Sequence, residues 1–201
     1  MTRPTLRPRL SIFACAAAVC AVAALSAAAC GNFTGVPASL PTISDTGTVF
    51  ALNGAPPGAP TALHVFSGAL TSADANFIFD VAFDIDPSGT IVVLPQRAVA
   101  SGLAATHTVS LQKDTVNSFD QLTRAPANGY RADTAMTIKP NQVILVQSAD
   151  ANACGVSLTG TTIYAKIVIT AVDKAARQLA VKYTTDPNCG FRSFATGIPK
   201  D

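Results

Sequence analysis

The sequence predicts an all-β fold: an antiparallel β-sandwich or small barrel with one short helix. Three observations point there. All 12 acidic residues are aspartate, a poor helix former, and glutamate, a good one, is absent. Residues 76–86, NFIFDVAFDID, alternate strictly, with Phe77, Phe79, Val81, Phe83 and Ile85 on one face and Asp80, Asp84 and Asp86 on the other. That period of two describes a strand with an apolar face inside and a charged face in solvent. Clusters of Gly, Pro, Asn and Asp also recur between short β-branched and aromatic runs, at the spacing of a sandwich or barrel.

Residues 1–29 carry the pattern of a secretory signal peptide. MTRPTLRPRL holds Arg3, Arg7 and Arg9 and no acid, and the following residues run uncharged to Ala29. A basic region, an apolar region and small residues at the end make an export leader. Three outcomes compete at its end. Leu10 to Ala29 could just span a bilayer as a retained helix, but alanine buries little apolar surface and no Trp, Tyr, Lys or Arg marks the outer end. Ordinary cleavage would use Ala27-Ala28-Ala29 as an A-x-A site. The third outcome rests on AAAC, residues 27–30, which resembles the lipobox of bacterial lipoproteins. There, small residues precede a thiol that receives a diacylglyceryl group; Ala27 holds the position where the lipobox prefers leucine.

Cysteine parity favours the lipoprotein. Of Cys15, Cys20, Cys30, Cys154 and Cys189, the first two leave with the leader. Three thiols in an oxidising compartment leave one over. Acylation of Cys30 leaves Cys154 and Cys189 as one disulfide pair. The resemblance implies a lipid-anchored protein of the bacterial cell envelope, with palmitate-type acyl chains at Cys30. Gly31, in place of a retention aspartate, implies the outer membrane.

Residues 30–47 then form a lipidated tether. GNFTGVPASLPTISDTG is small, polar and punctuated by Pro37 and Pro41, the composition of a flexible linker. NFT at Asn32 fits an N-glycosylation acceptor, a chance match in a bacterial chain. The β domain is expected over 48–201. Its strands are expected at 48–52 and 61–67, around the Pro/Gly loop NGAPPGAP, then at 76–86 and 90–95, joined by the turn PSG. Further strands are expected at 106–112, 130–138 and 142–148. Residues 162–172 and 178–185 flank DKAAR as a long hairpin. The one helix is expected at SFDQLTRAP (118–126), where Ser118 and Gln121 form a capping box and Pro126 stops it.

Charge excludes one class of partner. Of 14 basic residues the leader takes three, leaving 11 against 12 aspartates. No basic surplus remains to neutralise phosphates, so nucleic-acid binding has no electrostatic footing.

The motifs of common chemistries are incomplete. DIDPSG (84–89) opens like a calcium loop, but Pro95 stands where the closing acid belongs, and Asp86–Gly89 suits a type I turn. SLQK (110–113) matches the S-x-x-K of penicillin-binding proteins, yet ends a strand and lacks the S-D-N and K-T-G partners. His64 and His107 sit among apolar strand residues, with no ligand cluster for zinc and no G-x-S-x-G elbow. Asp80 and Asp84 lie about 13 Å apart along a strand, too far for a cooperating acid pair. Tyr130, Tyr164 and Tyr183 could floor a sugar platform, though core packing is the ordinary use of strand tyrosines. The expected function is therefore a non-enzymatic binding or structural role, with no catalytic residue, cofactor or metal. Its partner would be the membrane through the lipid, and an envelope protein or glycan. The alternatives are a small-ligand or glycan-binding module, and a hydrolase that brings a histidine to both an aspartate and a serine.

Overall fold

Among the described residues, short β-branched segments separated by tight turns build eleven strands in two antiparallel sheets. The computed structural model describes residues 37–73, 78–99, 107–155, 157 and 159–200. The leader, Cys30 and Asn32 lie outside them, as does the side chain of His107. The strands are β1 (Ile43–Phe50), β2 (Ala62–His64), β3 (Ala69–Thr71), β4 (Val81–Ile85), β5 (Ile91–Pro95), β6 (His107–Asp114), β7 (Arg131–Ala132), β8 (Met136–Ile138), β9 (Val143–Asp150), β10 (Ile163–Asp173) and β11 (Gln178–Asp186). One sheet has the order β1-β11-β10-β9-β6-β7 and the other β3-β2-β4-β5-β8. They face each other as the sandwich the sequence predicts.

Alternation fills the space between them. Leu63, Phe83, Leu111, Ile144, Ile163, Ile167, Ile169 and Leu179 are all fully buried there. The outer face of the six-stranded sheet carries a second, smaller core. Phe119, Leu122 and Phe194 lie over Leu145, Tyr164 and Val168, so the loop after β6 and the C-terminal segment make a third layer on part of that sheet.

The sandwich has two distinct ends. The hairpin end holds the β10–β11 turn and the Asp86–Gly89 turn, which are so close that a side chain on Gly89 would meet Lys174. Gly89 closes its turn at φ +81°, with its N–H on Asp86 O at 2.9 Å. The entry end receives the chain at Pro37–Thr42 and holds the disulfide. The two described helical turns, Gln96–Val99 and Ala151–Cys154, both follow strands at this end.

Five expectations need correction. The strict alternation of 76–86 fails ahead of β4, where Phe79 packs with Ala62 and Ala82 and not with Val81, Phe83 and Ile85. The tether does not extend to Gly47. β1 begins at Ile43 and pairs with β11 through eight residues, and Asn188 Oδ1 already accepts Ser39 N and Leu40 N, each at 3.0 Å. Residues 130–138 are not one strand. Asp133, at φ +49°, breaks them into β7 in one sheet and β8 in the other, and a residue this short and polar tolerates that left-handed geometry. The segment 118–126 makes its capping contact, with Ser118 N to Gln121 Oε1 at 3.1 Å, but stops after a single turn because Ala125 N bonds Arg192 O (2.7 Å) across the layer. Lastly, Asp80 and Asp84 do not face solvent; they are 1% and 7% exposed.

Candidate functional site

The strongest candidate for a binding site is a groove at the side of the sandwich. Its cause is a mismatch of strand lengths. β6 pairs with β7 only at Ser110↔Ala132 and Leu111↔Arg131, so Gln112–Asp114 run on without a strand partner on that side. Asp133 then turns the chain towards the second sheet, held by its N–H on Val109 O (2.9 Å) and its carboxylate on Arg97 Nη1 (3.1 Å). The space left between is about 480 Å³ and is lined by Gln112, Lys113, Arg131, Thr134, Met136 and Thr137 among others. Gln112 Oε1 is buried there with no hydrogen-bond partner. Two cations, an amide and two hydroxyls suit a polar, anionic ligand better than an apolar one. Neither Gln112 nor Arg131 is visible as a site residue in the sequence, because the β6–β7 pairing sets them side by side and the sheet switch at Asp133 then brings Thr134, Met136 and Thr137 opposite.

Beside the groove, the turn after β6 is fixed from within. Asp114 accepts Val116 N, Asn117 N and Asn117 Nδ2 at 2.7–3.0 Å. Partial burial pushes the Asp114 carboxyl up, but the bonds from Asn117 and Val116 outweigh it and hold the group below its ordinary value. The turn presents Val116, 86% exposed.

The histidines assemble no catalytic group that the described residues show. His64 Nδ1 lies 2.8 Å from Ser67 Oγ at the exposed β2–β3 turn, and no described carboxylate is hydrogen-bonded to its ring. His107 stands opposite Asp150 in the β6–β9 register, and Ser110 and Lys113 of the SLQK match lie along β6. Asp80 takes Ser148 Oγ and Val65 N (2.5 Å). Asp84 takes Asn53 and Arg177. Both aspartates are committed to joining the sheets. Asp86, in the DIDPSG turn, accepts Ser88 Oγ (2.6 Å) and Thr90 N (2.8 Å), bonds that lower its pKa. Among the described residues, no three of His, Cys, Asp or Glu gather as a metal would require.

The tyrosines form no exposed platform. Tyr164 and Tyr183 are buried. Tyr130 is half-buried against Tyr164, ring centroids 6.1 Å apart, and its hydroxyl is buried without a partner. Burial, with the Tyr164 hydroxyl beside it, drives the Tyr130 pKa far above its ordinary value.

One unexpected group is Lys166 of β10, 5% exposed. Its Nζ donates to Phe119 O (2.7 Å) and Leu122 O (2.9 Å) and lies 4.3 Å from the Phe119 ring centroid. Burial lowers its pKa, with the Lys182 charge adding to the effect and Asp120 opposing it. A single lysine inside IYAKIVI was the available signal. The two carbonyls and the ring use the ammonium fully, so it fastens the third layer rather than offering a nucleophile.

Cys154 and Cys189 are joined in a disulfide, Cα atoms 5.7 Å apart. It links the helical turn after β9 to the segment after β11. No helix among the described residues is long and apolar enough to cross a membrane. No family model, curated protein or solved structure matches the chain.

Proposed function

We propose that this chain is a lipoprotein of the bacterial cell envelope, anchored through Cys30 in the outer membrane, whose β-sandwich has a non-enzymatic binding or supporting role. The observation that carries the reading is the pairing of Cys154 with Cys189. With both consumed, Cys30 is the one cysteine left over once the leader is removed. A lone thiol after a leader of this pattern is the substrate that lipid transfer requires. Further support comes from the entering chain. It is fastened to the domain from Ser39 onward, which leaves a short connection to Cys30 and suits a domain held close to its anchor.

Metabolic labelling with an alkyne-bearing palmitate tests the anchor. Labelled protein in the membrane fraction, a precursor that accumulates under globomycin, and loss of label in Cys30→Ser are expected. A precursor insensitive to globomycin, or an unchanged membrane fraction for Cys30→Ser, overturns it.

A second reading, a small-ligand or glycan-binding module, is favoured by the side groove. Lys113 and Arg131, with the Thr134 and Thr137 hydroxyls beside them, would recognise a hydroxylated anion. Binding of an acidic oligosaccharide such as trigalacturonate, lost in Arg131→Ala and absent for maltotriose, supports this reading; equal binding of both sugars sinks it.

A further inference from the structure

We infer that the entry end of the sandwich is a membrane-contact face, seated on the bilayer that holds the Cys30 lipid. The inference rests on the anchoring proposed above and adds which surface the anchor brings down.

Four large apolar side chains are exposed among the described residues: Leu40 (43%), Ile78 (60%), Val116 (86%) and Ile198 (53%). Single exposed apolar residues are ordinary. Here, however, three of the four gather at one end. Leu40 and Ile198 flank the hydrogen bond from Thr42 N to Gly197 O (2.9 Å), which ties the entering chain to the C-terminal segment. Asn188 fixes Leu40 further, accepting its N–H at 3.0 Å and donating Nδ2 to its carbonyl at 2.8 Å. Ile78 comes from the other sheet. It lies two residues before Asp80, whose N–H bonds Leu63 O (2.9 Å) beside the β2–β3 turn of the same end. Val116 stands apart, on the turn after β6.

Charge at this end is mixed. Asp45 of β1 is exposed; Asp80, Asp150 and Asp186 are buried, at 1%, 6% and 0% exposure, so their carboxylates are not turned towards a negative surface. Lys200, exposed two residues beyond Ile198, offers a cation to lipid phosphate.

Chain length selects the bilayer as occupant. Seven residue steps separate Cys30 from Pro37, about 25 Å at full stretch. The fastening at Ser39 and Leu40 gives no further slack. An acylated Cys30 therefore keeps the point of entry within that distance of the headgroups, whereas Val116 sits along the sandwich towards the hairpin end. Apolar side chains beside the entry point gain by entering the interface.

The chain has no tryptophan, so one introduced indole reports alone. Full-length lipidated Leu40→Trp, Ile198→Trp and Val116→Trp would each be reconstituted into phosphatidylethanolamine–phosphatidylglycerol vesicles, with and without brominated acyl chains. Tryptophan at positions 40 and 198 should emit further to the blue and lose about half its intensity to brominated lipid, as indoles at a bilayer interface do. Tryptophan at position 116 should emit as in water and stay unquenched. Protein that floats with the vesicles while positions 40 and 198 remain unquenched overturns the face and leaves the anchor standing. Quenching at position 116 as strong as at the other two also overturns it. Failure of the anchor reads differently: Cys30 then lacks the lipid mass and the protein does not float, which overturns both.

Discussion

Arg177 closes the hairpin end of the sandwich onto Asp84, with Nη2 3.1 Å from Oδ1, so that a turn of the six-stranded sheet is tied to a strand of the five-stranded one. Arg177 sits in the β10–β11 turn at φ +52° and also donates Nε to Asn53 O (2.7 Å) and Nη2 to Ile85 O (2.8 Å). Asp84 is filled out by Asn53 Nδ2 at 2.5 Å. Asp80 performs the matching task at the entry end, where Ser148 of the facing sheet donates to it. The two aspartates are thus ties across the gap, one near each end of β4.

Removing the carboxylate should therefore cost more than a surface ion pair would. Asp84→Ala is expected to lower stability by about 3 kcal/mol, because it also strands Asn53, and Arg177→Ala by about 1 kcal/mol, because Asp84 keeps its bonds from Asn53 and Ile85 N. The double variant should lose less than the two together. Urea unfolding of the three variants measures this; strict additivity would show that the pair does not act as a unit.

The disulfide spans 35 residues, and closing a loop of that size contributes about 3 to 4 kcal/mol on the chain-entropy account. For a domain of this length, reduction should lower Tm by about 10 °C. Calorimetry with and without reductant tests the figure. The Cys154→Ser/Cys189→Ser protein should match the reduced wild type and be insensitive to reductant.

The hairpin of β10 and β11 was legible because its apolar runs are long and DKAAR interrupts them plainly. The Asp86–Gly89 turn was equally legible, since Pro87 and Gly89 specify local geometry. Asp80 and Asp84 were not. Alternation assigns them to the face opposite Phe83, but it cannot show that Ser148 and Arg177, 68 and 93 residues away, arrive to receive them. Asp133 was hidden for a similar reason. Nothing in YRADTAMTI says that one residue passes the chain between sheets, and the side groove depends on that passage.

Tyr130 provides a pH-dependent test. Its hydroxyl is buried without a partner and its folded pKa lies well above the unfolded value. A raised phenol contributes stability that is complete below about pH 10 and is lost as pH rises towards the folded value, because the unfolded chain releases its proton first. Tyr130→Phe should leave stability at pH 7 unchanged or raise it by up to about 1 kcal/mol. Its loss of stability between pH 10 and 11 should be shallower than that of wild type. An equally steep loss would show that other groups govern the alkaline limb.

Asp45 guards the longest free edge. β1 ends its sheet, whereas β3 and β8 have three residues each and β7 has two. On β1, Asp45 stands opposite Tyr183, a core residue, and its Oδ1 takes Thr46 N at 2.7 Å. A charge on the inward-facing row discourages a second strand from adding there. Asp45→Val should leave Tm within about 2 °C of wild type and yield dimers and larger species by light scattering. A strictly monomeric variant would show that the edge is protected by other means.

The entry strap has a mechanical consequence. A pull on the N-terminal end is delivered through Pro37–Thr42 straight into β1, along its length. β1 is bonded to β11 through eight register pairs, so a load between this end and the hairpin-end loops would be carried in shear by the whole ladder at once. Pairs loaded together resist far more force than pairs opened one by one. Strand order thus gives this small domain a grip suited to being held at one end and tugged at the other.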